Sequence, residues 1–425
     1  MNSEKVAPGR PRRRRRGARR GNRPAGAPHT EPHASVPSPA VERPSTPHDI
    51  TPIEFSTLPI HETLRHALEE RGFERTTPIQ SAVLPFALSG DDVIGCAQTG
   101  TGKTAAFVLP LLHRLLAADA ADGITGPRGY TRVLILAPTR ELAVQIDDEI
   151  QGFAYHTGLS SAAVYGGVHM SPQDIALRAG VDIVVATPGR LLDHMRGDAP
   201  KFDRLEAFVL DEADRMMDMG FWPDVRRIAS ALPKTGLQTM LFSATMPDEI
   251  MKFAHELAPD AHYVQVGSSG APAKTITHLA HFVPANEKIE YLTKFLKTEA
   301  HGPVLVFART KIGADRIARR LASAGLKAAA LHADRSQADR LRAIEGFKSG
   351  RFRVVVATDV AARGLDVDGI TWVINFEVPT ALDTYIHRVG RTGRAEATGH
   401  ALTLVAPDER RSLAVIEKAF GLELQ

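Results

Sequence analysis

The stretch Ala97-Gln98-Thr99-Gly100-Thr101-Gly102-Lys103-Thr104 has the residue types of a loop that binds phosphate. A strand-type run precedes it, and an apolar segment typical of the first turns of a helix follows. Glycines let backbone N–H groups close around phosphate oxygens, and the helix N-terminus adds a favourable dipole. Lys103 would then reach the β- and γ-phosphates of a nucleotide, and the Thr104 hydroxyl would bind Mg²⁺. Taken alone, the stretch also fits a merely structural loop, because the strict motif has Gly where this chain has Ala97.

Three carboxylates, Asp211, Glu212 and Asp214, follow a second apolar run of strand type. An acid at the end of a strand beside a phosphate loop is placed to organise Mg²⁺, which is the role expected for Asp211. Glu212, next to it, could orient or deprotonate an attacking water. An acidic helix N-cap would account for one of these carboxylates but not for all three together.

Arg388, Arg391 and Arg394 are spaced three residues apart, with glycines between them. Phosphoryl transfer needs positive charge on the leaving phosphates, and an arginine finger is worth about 10³ to 10⁵ in rate. A solvated basic helix face would explain the spacing of these arginines but not the glycines. The run therefore favours a phosphate-contacting role.

Two series of alternating strand and helix patterns carry these residues. The strands of the first series are predicted at 133–137, 182–186, 207–210 and 240–242, and those of the second at 304–307, 352–357, 372–376 and 401–405. Such alternation is typical of a parallel sheet covered by helices on both faces. Polar residues stand just past several strand ends, where open α/β sheets bind ligands. Residues 267–273, without apolar periodicity, are interpreted as a linker between the two series.

Composition narrows the class of protein. At 425 residues, with 43% hydrophobic and 24% charged residues, the chain can form two or three globular domains. The single cysteine, Cys96, excludes an intramolecular disulfide framework and fits a reducing compartment. Cys96 is interpreted as a small buried residue at a strand end rather than a reactive thiol. No apolar run is expected to approach the length of a membrane span.

The positive charge is concentrated in residues 1–50, which hold eleven Lys and Arg against four Asp and Glu, whereas the remainder has a net charge of −4. The centre of this arm is formed by Arg10, Arg12 to Arg16, Arg19, Arg20 and Arg23. Since the segment has almost no large apolar side chains, it is predicted to be disordered. A nucleic-acid-binding arm, a nuclear-targeting signal and a solubilising tail all remain open for it.

The ordered set of motifs resembles the DEAD-box RNA helicases from about Phe55 to the end of the chain. The resemblance rests on Asp211-Glu212-Ala213-Asp214, on the Gln element ending at Gln80, on the Ala-first phosphate loop, and on Pro138-Thr139-Arg140-Glu141-Leu142, Gly166-Gly167, Thr187-Pro188-Gly189-Arg190 and Ser243-Ala244-Thr245. In the second half it rests on Gln337 with Arg340, on the run from Thr358 to Asp366, and on the run from His387 to Arg394. The departures are Thr76, where the family often has Pro, and Glu377, where Asp is usual.

This resemblance implies a role for each matching residue. Gln80 would read the adenine amine, with Phe55 and Phe73 supporting the base and its loop, while residues 97–104 and Asp366 complete the nucleotide site. Lys103, Asp211, Glu212, Arg391 and Arg394 would be catalytic, and Thr104 and Asp211 would hold the metal. Asp214, Ser243, Thr245 and His387 would couple the ATP state to RNA. The RNA track would comprise Arg140, Gly167, Thr187 and Arg190 in the first domain, and Arg309, Gln337, Arg340 and Thr358 in the second.

The fold that the resemblance implies is α/β, with two tandem RecA-like domains joined by a flexible linker. We place the arm at 1–50, the ATP-binding domain at 51–266, the linker at 267–273 and the second domain at 274–425. ATP and Mg²⁺ are the implied cofactors, and single-stranded or short duplex RNA of any sequence is the implied partner. A cytoplasmic monomer acting on ribosomal precursors or in RNA decay, with no membrane association, is the expected setting.

The favoured interpretation is an RNA-dependent ATPase that unwinds short duplexes locally, and two alternatives to it remain. One is an ATP-gated RNA clamp or annealing chaperone, in which strand separation is incidental. The other is a catalytically dead scaffold, which would need one of the catalytic residues to be missing. Because Glu212, Arg391 and Arg394 are all present, turnover of ATP is favoured, although turnover alone does not establish unwinding.

Overall fold

The computed structural model describes residues 48–98, 100–124, 128–197, 199–200, 202–267, 275–362, 367, 369–393 and 398–420. Nearly all of the predicted arm and linker lies outside these ranges, as do three predicted site residues, Thr99, Asp366 and Arg394. At the start of the described chain, the His48 ring bonds the Tyr263 carbonyl at 2.7 Å. His48 also packs edge-on against Phe86. The folded part of the protein therefore includes at least His48, three residues before the predicted start of the first domain.

The first domain is built on a parallel sheet of seven strands. The strands are β1 (Val93–Cys96), β2 (Val133–Leu136), β3 (Ser161–Val164), β4 (Ile183–Ala186), β5 (Ala207–Asp211), β6 (Gln238–Ser243) and β7 (His262–Gln265), in the order β3-β4-β2-β5-β6-β1-β7. All neighbouring strands of this sheet pair in parallel. Parallel neighbours require crossover connections. Helices form those connections.

Helices cover both faces of this sheet. They are α1 (Glu62–Glu70), α2 (Pro78–Ser89), α3 (Lys103–Asp122), α4 (Arg140–Phe153), α5 (Met170–Ala179), α6 (Pro188–Met195), α7 (Ala213–Asp218), α8 (Trp222–Ser230) and α9 (Asp248–Leu257), with a 3-10 turn at Phe55–Thr57. In β2, Val133 and Ile135 join one buried cluster, whereas Leu134 and Leu136 join the other. Since side chains alternate along a strand, a central strand buried on both faces is continuously apolar.

The second domain repeats this plan with six strands. These are β8 (Ile276–Phe282), β9 (Val304–Phe307), β10 (Ala328–Leu331), β11 (Val354–Ala357), β12 (Trp372–Asn375) and β13 (Gly399–Val405), in the order β10-β11-β9-β12-β13-β8. Its helices are α10 (Lys288–Thr298), α11 (Lys311–Ser323), α12 (Gln337–Lys348), α13 (Asp359–Ala362), α14 (Leu382–Val389) and α15 (Arg410–Phe420), with a 3-10 turn at Pro407–Glu409. The α/β fold class with two RecA-like sheets is thereby confirmed.

Among the helices in the described ranges, α3 is long and apolar enough to cross a membrane by length and composition. This corrects the expectation that no segment of the chain would approach that limit. Half of the most apolar stretch of α3 is buried inside the protein. Its side chains Phe107, Leu109 and Leu112 pack into a hydrophobic core of the first domain. The apolar character of α3 is explained by this packing, so it is weak evidence for a membrane span.

Candidate active site

The phosphate loop connects the end of β1 to the start of α3. The Lys103 side chain turns back into the loop and donates to the Ala97 carbonyl at 2.7 Å, and Lys103 is only 6% exposed. Gly102 has a φ of +85°, and a Cβ there would lie 2.5 Å from Gln80 Nε2, so glycine is required. Thr101 closes the turn by donating to the Gln98 carbonyl. Thr104 is partly exposed in the first turn of α3.

Gln80 ties this loop to the start of α2. Its Oε1 accepts from the Thr77 backbone N–H at 2.8 Å, completing a capping box, and its Nε2 donates to the Gly102 carbonyl at 2.9 Å. The Thr77 hydroxyl donates to the Thr101 carbonyl at 2.7 Å. Thr76, the departure from the family pattern, is buried and bonds Ser81 through its hydroxyl. Both ends of the Gln80 amide are therefore engaged within the protein.

Phe55 and Phe73 lie beside a surface cavity of about 440 Å³. Their rings contact edge to face at 5.9 Å between centroids, and Phe73 makes a second such contact with Phe153 at 5.4 Å. Phe55 is nearly fully buried, whereas Phe73 is half-buried. The structure thus brings both predicted base-supporting residues to one cavity wall.

Asp211 is the last residue of β5 and is buried at the carboxyl edge of the sheet. Burial raises the pKa of Asp211 to about 7, and the Lys103 ammonium opposes that shift. An ionised carboxylate here therefore depends on positive charge close by. Lys103 supplies one such charge, and a divalent cation would supply more.

Glu212 has a left-handed backbone, with a φ of +55°. It precedes α7, yet its side chain makes no capping hydrogen bond. Instead its carboxylate accepts from Arg215 Nη1 at 2.6 Å, and both side chains are buried. Glu212 thus occupies the N-cap position of α7 without capping the helix through its side chain. Since left-handed residues of this type cost about 1–3 kcal/mol, the surrounding structure must hold Glu212 in place.

Asp214 is the centre of a buried hydrogen-bond network. Its Oδ2 accepts from the Thr245 N–H at 2.9 Å and from the Thr245 hydroxyl at 3.0 Å, and its own N–H donates to the Ser243 hydroxyl at 3.1 Å. His387 Nε2, from the second domain, lies 4.0 Å from the same Oδ2. Burial acts to raise the pKa of Asp214, but His387 and Arg215 outweigh it and the pKa lies below its usual value. The structure brings together all four residues of the predicted coupling set.

Within the described part of the arginine run, Arg388 and Arg391 do not lie on a solvated helix face. Helix α14 ends at Val389, and both Arg388 and Arg391 are buried. Arg388 is held by Asp359 at 2.5 Å and by Asn375 at 3.0 Å, so it has a structural role within the second domain. Arg391 lines a small cavity together with Arg215 and His387. Arg391 therefore shares a cavity with Arg215, the ion-pair partner of Glu212, and with His387, which faces Asp214.

The predicted RNA residues of the first domain meet at the ends of neighbouring strands. The Arg140 guanidinium lies against Gly167, where a Cβ would approach Nη1 to 2.0 Å and φ is +83°. Arg190 donates to the Val168 carbonyl at 3.1 Å. Thr187 is buried beside β3, with its hydroxyl 3.5 Å from the Val164 carbonyl. These contacts place Arg140, Gly167, Thr187 and Arg190 in one cluster.

Gln337 and Arg340 instead contact the first domain. Gln337 Nε2 donates to Glu141 Oε1 at 3.3 Å, and Arg340 Nη2 donates to Glu141 Oε2 at 2.7 Å. Burial lowers the pKa of Arg340, and the Glu141 carboxylate opposes that shift. Glu141 belongs to the sequence motif at 138–142, but the motif alone predicts no role for it. Its partners lie about two hundred residues further on, so no local spacing could have found them.

The other two predicted RNA residues of the second domain lie at strand ends. Arg309 is exposed and pairs with Glu409 at 2.9 Å. Its backbone N–H donates to Glu377, the second departure from the family pattern, at 3.0 Å. Thr358 follows β11, and its carbonyl accepts from two N–H groups of α13. A track formed by Arg309 and Thr358 remains a prediction.

A second residue without a predicted role is Arg215, the partner of Glu212. Its Nη2 is buried and has no hydrogen-bond partner among the described residues. The spacing of three residues from Glu212 is a helical pairing distance that could have indicated it. An unsatisfied guanidinium N–H beside a buried carboxylate fits a site that takes a polar, anionic ligand.

Comparison with known proteins agrees with this geometry. A family model described as DEAD/DEAH box helicase matches residues 77–253, and one described as helicase conserved C-terminal domain matches residues 287–396. The ATP-dependent RNA helicase CshA of Listeria monocytogenes is 40% identical over 372 residues, covering 88% of this chain and 70% of that relative. DEAD-box ATP-dependent RNA helicase 30 of Arabidopsis thaliana is 42% identical over 374 residues, covering 88% and 62% respectively.

A solved structure extends the agreement to three dimensions. Dbp5 of S. cerevisiae, bound to RNA and ADP BeF3, matches with a TM-score of 0.76 at 31% identity, covering 87% of this chain and 94% of that one. The two family models together span more than half of the sequence, and the motifs lie at the carboxyl edges of two parallel sheets. The chain belongs to the DEAD-box family and is an ATP-dependent RNA helicase.

Proposed function

We propose that this helicase separates short RNA duplexes locally by closing its two domains around ATP and RNA. The observation that carries the proposal is the Asp214 network, in which one carboxylate contacts Thr245 of the first domain and faces His387 of the second. A residue of the DEAD motif thereby senses whether the second domain is in place. Closure and ATP chemistry are linked through this carboxylate.

The residues around Asp211 fit a nucleotide with a divalent cation. Lys103, Asp211 and Glu212 are all buried at the carboxyl edge of the sheet, and Arg215 has an unsatisfied buried N–H beside them. Thr104 and Asp211 would hold Mg²⁺, and bound MgATP supplies the phosphoryl group that water attacks. Residues 97–104, Gln80, Phe55 and Phe73 would form the rest of the nucleotide site, together with Asp366.

Each catalytic residue then has one task. Lys103 holds the β- and γ-phosphates, and Glu212 orients the attacking water and accepts its proton. Arg391 and Arg394 stabilise negative charge on the leaving phosphates from the second domain. The buried Arg215 fixes the Glu212 carboxylate, since its Nη1 donates to Oε2 at 2.6 Å.

We place RNA on the cluster of Arg140, Gly167, Thr187 and Arg190 and on Arg309, Gln337, Arg340 and Thr358 of the second domain. Contacts of this kind run along the sugar–phosphate backbone, so binding is independent of sequence. Discrimination of RNA from DNA would come from the 2′-hydroxyl. Bending of one strand on closure destabilises a short duplex, and product release reopens the two domains.

We also propose a cellular compartment, an oligomeric state and a biological process for this activity. One buried cysteine suits a reducing compartment such as the cytoplasm, and we infer a monomer acting on ribosomal precursors or in RNA decay. The rival function is an ATP-gated clamp or annealing chaperone built from the same two domains. Such a clamp would hydrolyse ATP with the same residues, but it would not separate RNA strands as its main activity.

The test measures ATP hydrolysis and strand displacement side by side. We expect single-stranded RNA of mixed sequence to stimulate hydrolysis strongly and DNA of the same sequence to stimulate it little. A short RNA duplex should be separated with ATP, and Lys103→Ala should abolish both activities by weakening the nucleotide site. Equal stimulation by DNA would contradict the RNA track. RNA-stimulated hydrolysis without displacement would favour the clamp.

A further inference from the structure

Three metal-ligating side chains meet on the surface of the first domain, away from the phosphate loop. His66 and Glu70 lie one turn apart on α1, with His66 Nδ1 3.6 Å from Glu70 Oε1. His156, just after the end of α4, places Nε2 2.7 Å from Glu70 Oε2. The ligand atoms of all three residues lie within 4.8 Å of one another. Nothing in the helicase chemistry described above uses them.

Two imidazoles and one carboxylate form a donor set that proteins use for zinc. In a tetrahedral site with bonds of about 2.0–2.1 Å, neighbouring donor atoms stand roughly 3.3–3.5 Å apart. The histidine nitrogens lie 3.6 and 2.7 Å from the two different oxygens of the Glu70 carboxylate, and all three ligand atoms lie within 4.8 Å of one another. Because all three residues are exposed, their side chains are free to rotate toward a shared ion, and a water can fill the fourth position.

We propose that His66 Nδ1, the Glu70 carboxylate and His156 Nε2 form a surface zinc site that links α1 to the C-terminal end of α4. On binding, the ion replaces the hydrogen bond between His156 and Glu70. Each coordinating nitrogen must carry no proton, so an imidazole that was protonated releases its proton to solvent.

The placement of the site suggests what the metal does. Helix α1 also contributes Arg65, Leu68 and Glu69 to the wall of the cavity beside Phe55 and Phe73. Arg71, directly after α1, stacks on Phe153 at the end of α4, 4.8 Å from the ring centroid. A zinc ion bridging the same two helices would therefore brace this wall. Since the site exists only in the folded protein, bound zinc stabilises the fold by mass action.

The test uses the full chain without nucleotide and ZnCl2 alone as the probe. His66→Ala and His156→Ala each remove one ligand, and His66→Ala leaves the hydrogen bond between His156 and Glu70 in place. His301→Ala, at an exposed histidine of the second domain, is the matched control. Every variant keeps the histidines of residues 1–50, so weak binding there is a constant background.

We expect calorimetry to show one equivalent of zinc bound by the wild type and by His301→Ala. Each ligand variant should lose at least about tenfold in affinity, which is the lower end of what even an outer-shell partner is worth. Co²⁺ should give visible absorption bands of a tetrahedral site that both ligand variants abolish. Zinc should raise the melting temperature of the wild type and of His301→Ala, but not that of His66→Ala or His156→Ala. Equal zinc affinity and equal Co²⁺ spectra in wild type, His66→Ala and His156→Ala would overturn the proposal.

Discussion

Arg340 donates to Glu141 across 2.7 Å, and the two side chains are 9% and 3% exposed. The pair joins α12 of the second domain to the first turn of α4, directly after β2. Removing one partner of a buried ion pair is strongly destabilising, because the other charge is then left in the interior without a partner. The Glu141–Arg340 pair therefore favours the arrangement in which the two domains are in contact.

Replacing Glu141 by Gln should weaken this closed arrangement. Breaking a buried pair by removing one partner costs about 3–5 kcal/mol, so we expect the RNA concentration for half-maximal ATPase to rise by about tenfold or more. The measurement is RNA-stimulated hydrolysis as a function of RNA concentration.

Arg342→Gln is the matched control for this prediction. Arg342 lies on the same helix but pairs at the surface with Asp339 and is 62% exposed. Such exposed pairs contribute little, so RNA-stimulated hydrolysis should stay near the wild-type level. If Glu141→Gln behaves like Arg342→Gln, the Glu141–Arg340 pair has no part in closure.

Thr245→Val should separate ATP turnover from strand separation. The change removes the hydroxyl that donates to Asp214 at 3.0 Å but keeps the backbone N–H bond. A hydrogen bond to a charged group is worth about 1.5–3 kcal/mol, so the Asp214 network is weakened without being abolished. Strand displacement should fall by about tenfold, while ATPase at saturating RNA falls less.

The control for this prediction is Thr298→Val, which removes an exposed hydroxyl that bonds only within α10. It should alter neither activity. An equal fall of hydrolysis and displacement in Thr245→Val would show that Thr245 supports catalysis itself rather than the coupling of ATP to RNA.

The strands predicted from sequence and those missed differ in one physical respect. The nine runs predicted as strands, including the one before the phosphate loop, are all found with each end within two residues of its predicted position, and each is an interior strand of its sheet. The four that were missed, β3, β7, β8 and β10, are the outer strands of the two sheets. An edge strand is buried less completely, and β3 and β10 are built mostly of alanine. No continuous run of large apolar residues marks them.

The part of the site whose functional side chains directly follow a strand could be predicted from the sequence. Asp211 and the phosphate loop needed only the local pattern, because the carboxyl ends of parallel strands share one edge of the sheet. The pairings of Glu141 with Arg340 and of Arg388 with Asp359 required the three-dimensional fold. Gln80 is an example of both cases. Its place in the nucleotide site was predicted from the sequence motif, but its hydrogen bond to the Gly102 carbonyl was found only in the structure.

Removing the basic arm should change RNA affinity and leave catalysis intact. If about four of its arginines contact phosphates, the slope of log affinity against log salt should flatten by roughly 3, at ~0.7 per contact on single strands. The measurement is an RNA titration at several salt concentrations, comparing the full chain with one that begins at His48. This start preserves the contacts of His48 with Tyr263 and Phe86.

Turnover at saturating RNA should barely differ between these two chains, because Lys103, Glu212 and Arg391 lie in the folded domains. Parallel salt slopes would show that the arm does not touch RNA, leaving targeting or solubility as its role. A collapse of turnover would instead place the arm in the catalytic cycle.

Glu212→Gln tests the central claim, that Glu212 activates water beside Asp211. The amide has the same shape, and its oxygen can still accept from Arg215, so the fold and the left-handed backbone should persist. The control is Glu206→Gln, at the opposite end of β5, which weakens the ion pair with Arg132 and leaves the site unchanged. The measurement is RNA-stimulated ATP hydrolysis together with nucleotide and RNA binding. We predict that Glu212→Gln abolishes hydrolysis, keeps nucleotide affinity and holds RNA in the closed state. Hydrolysis near the wild-type rate would contradict the account.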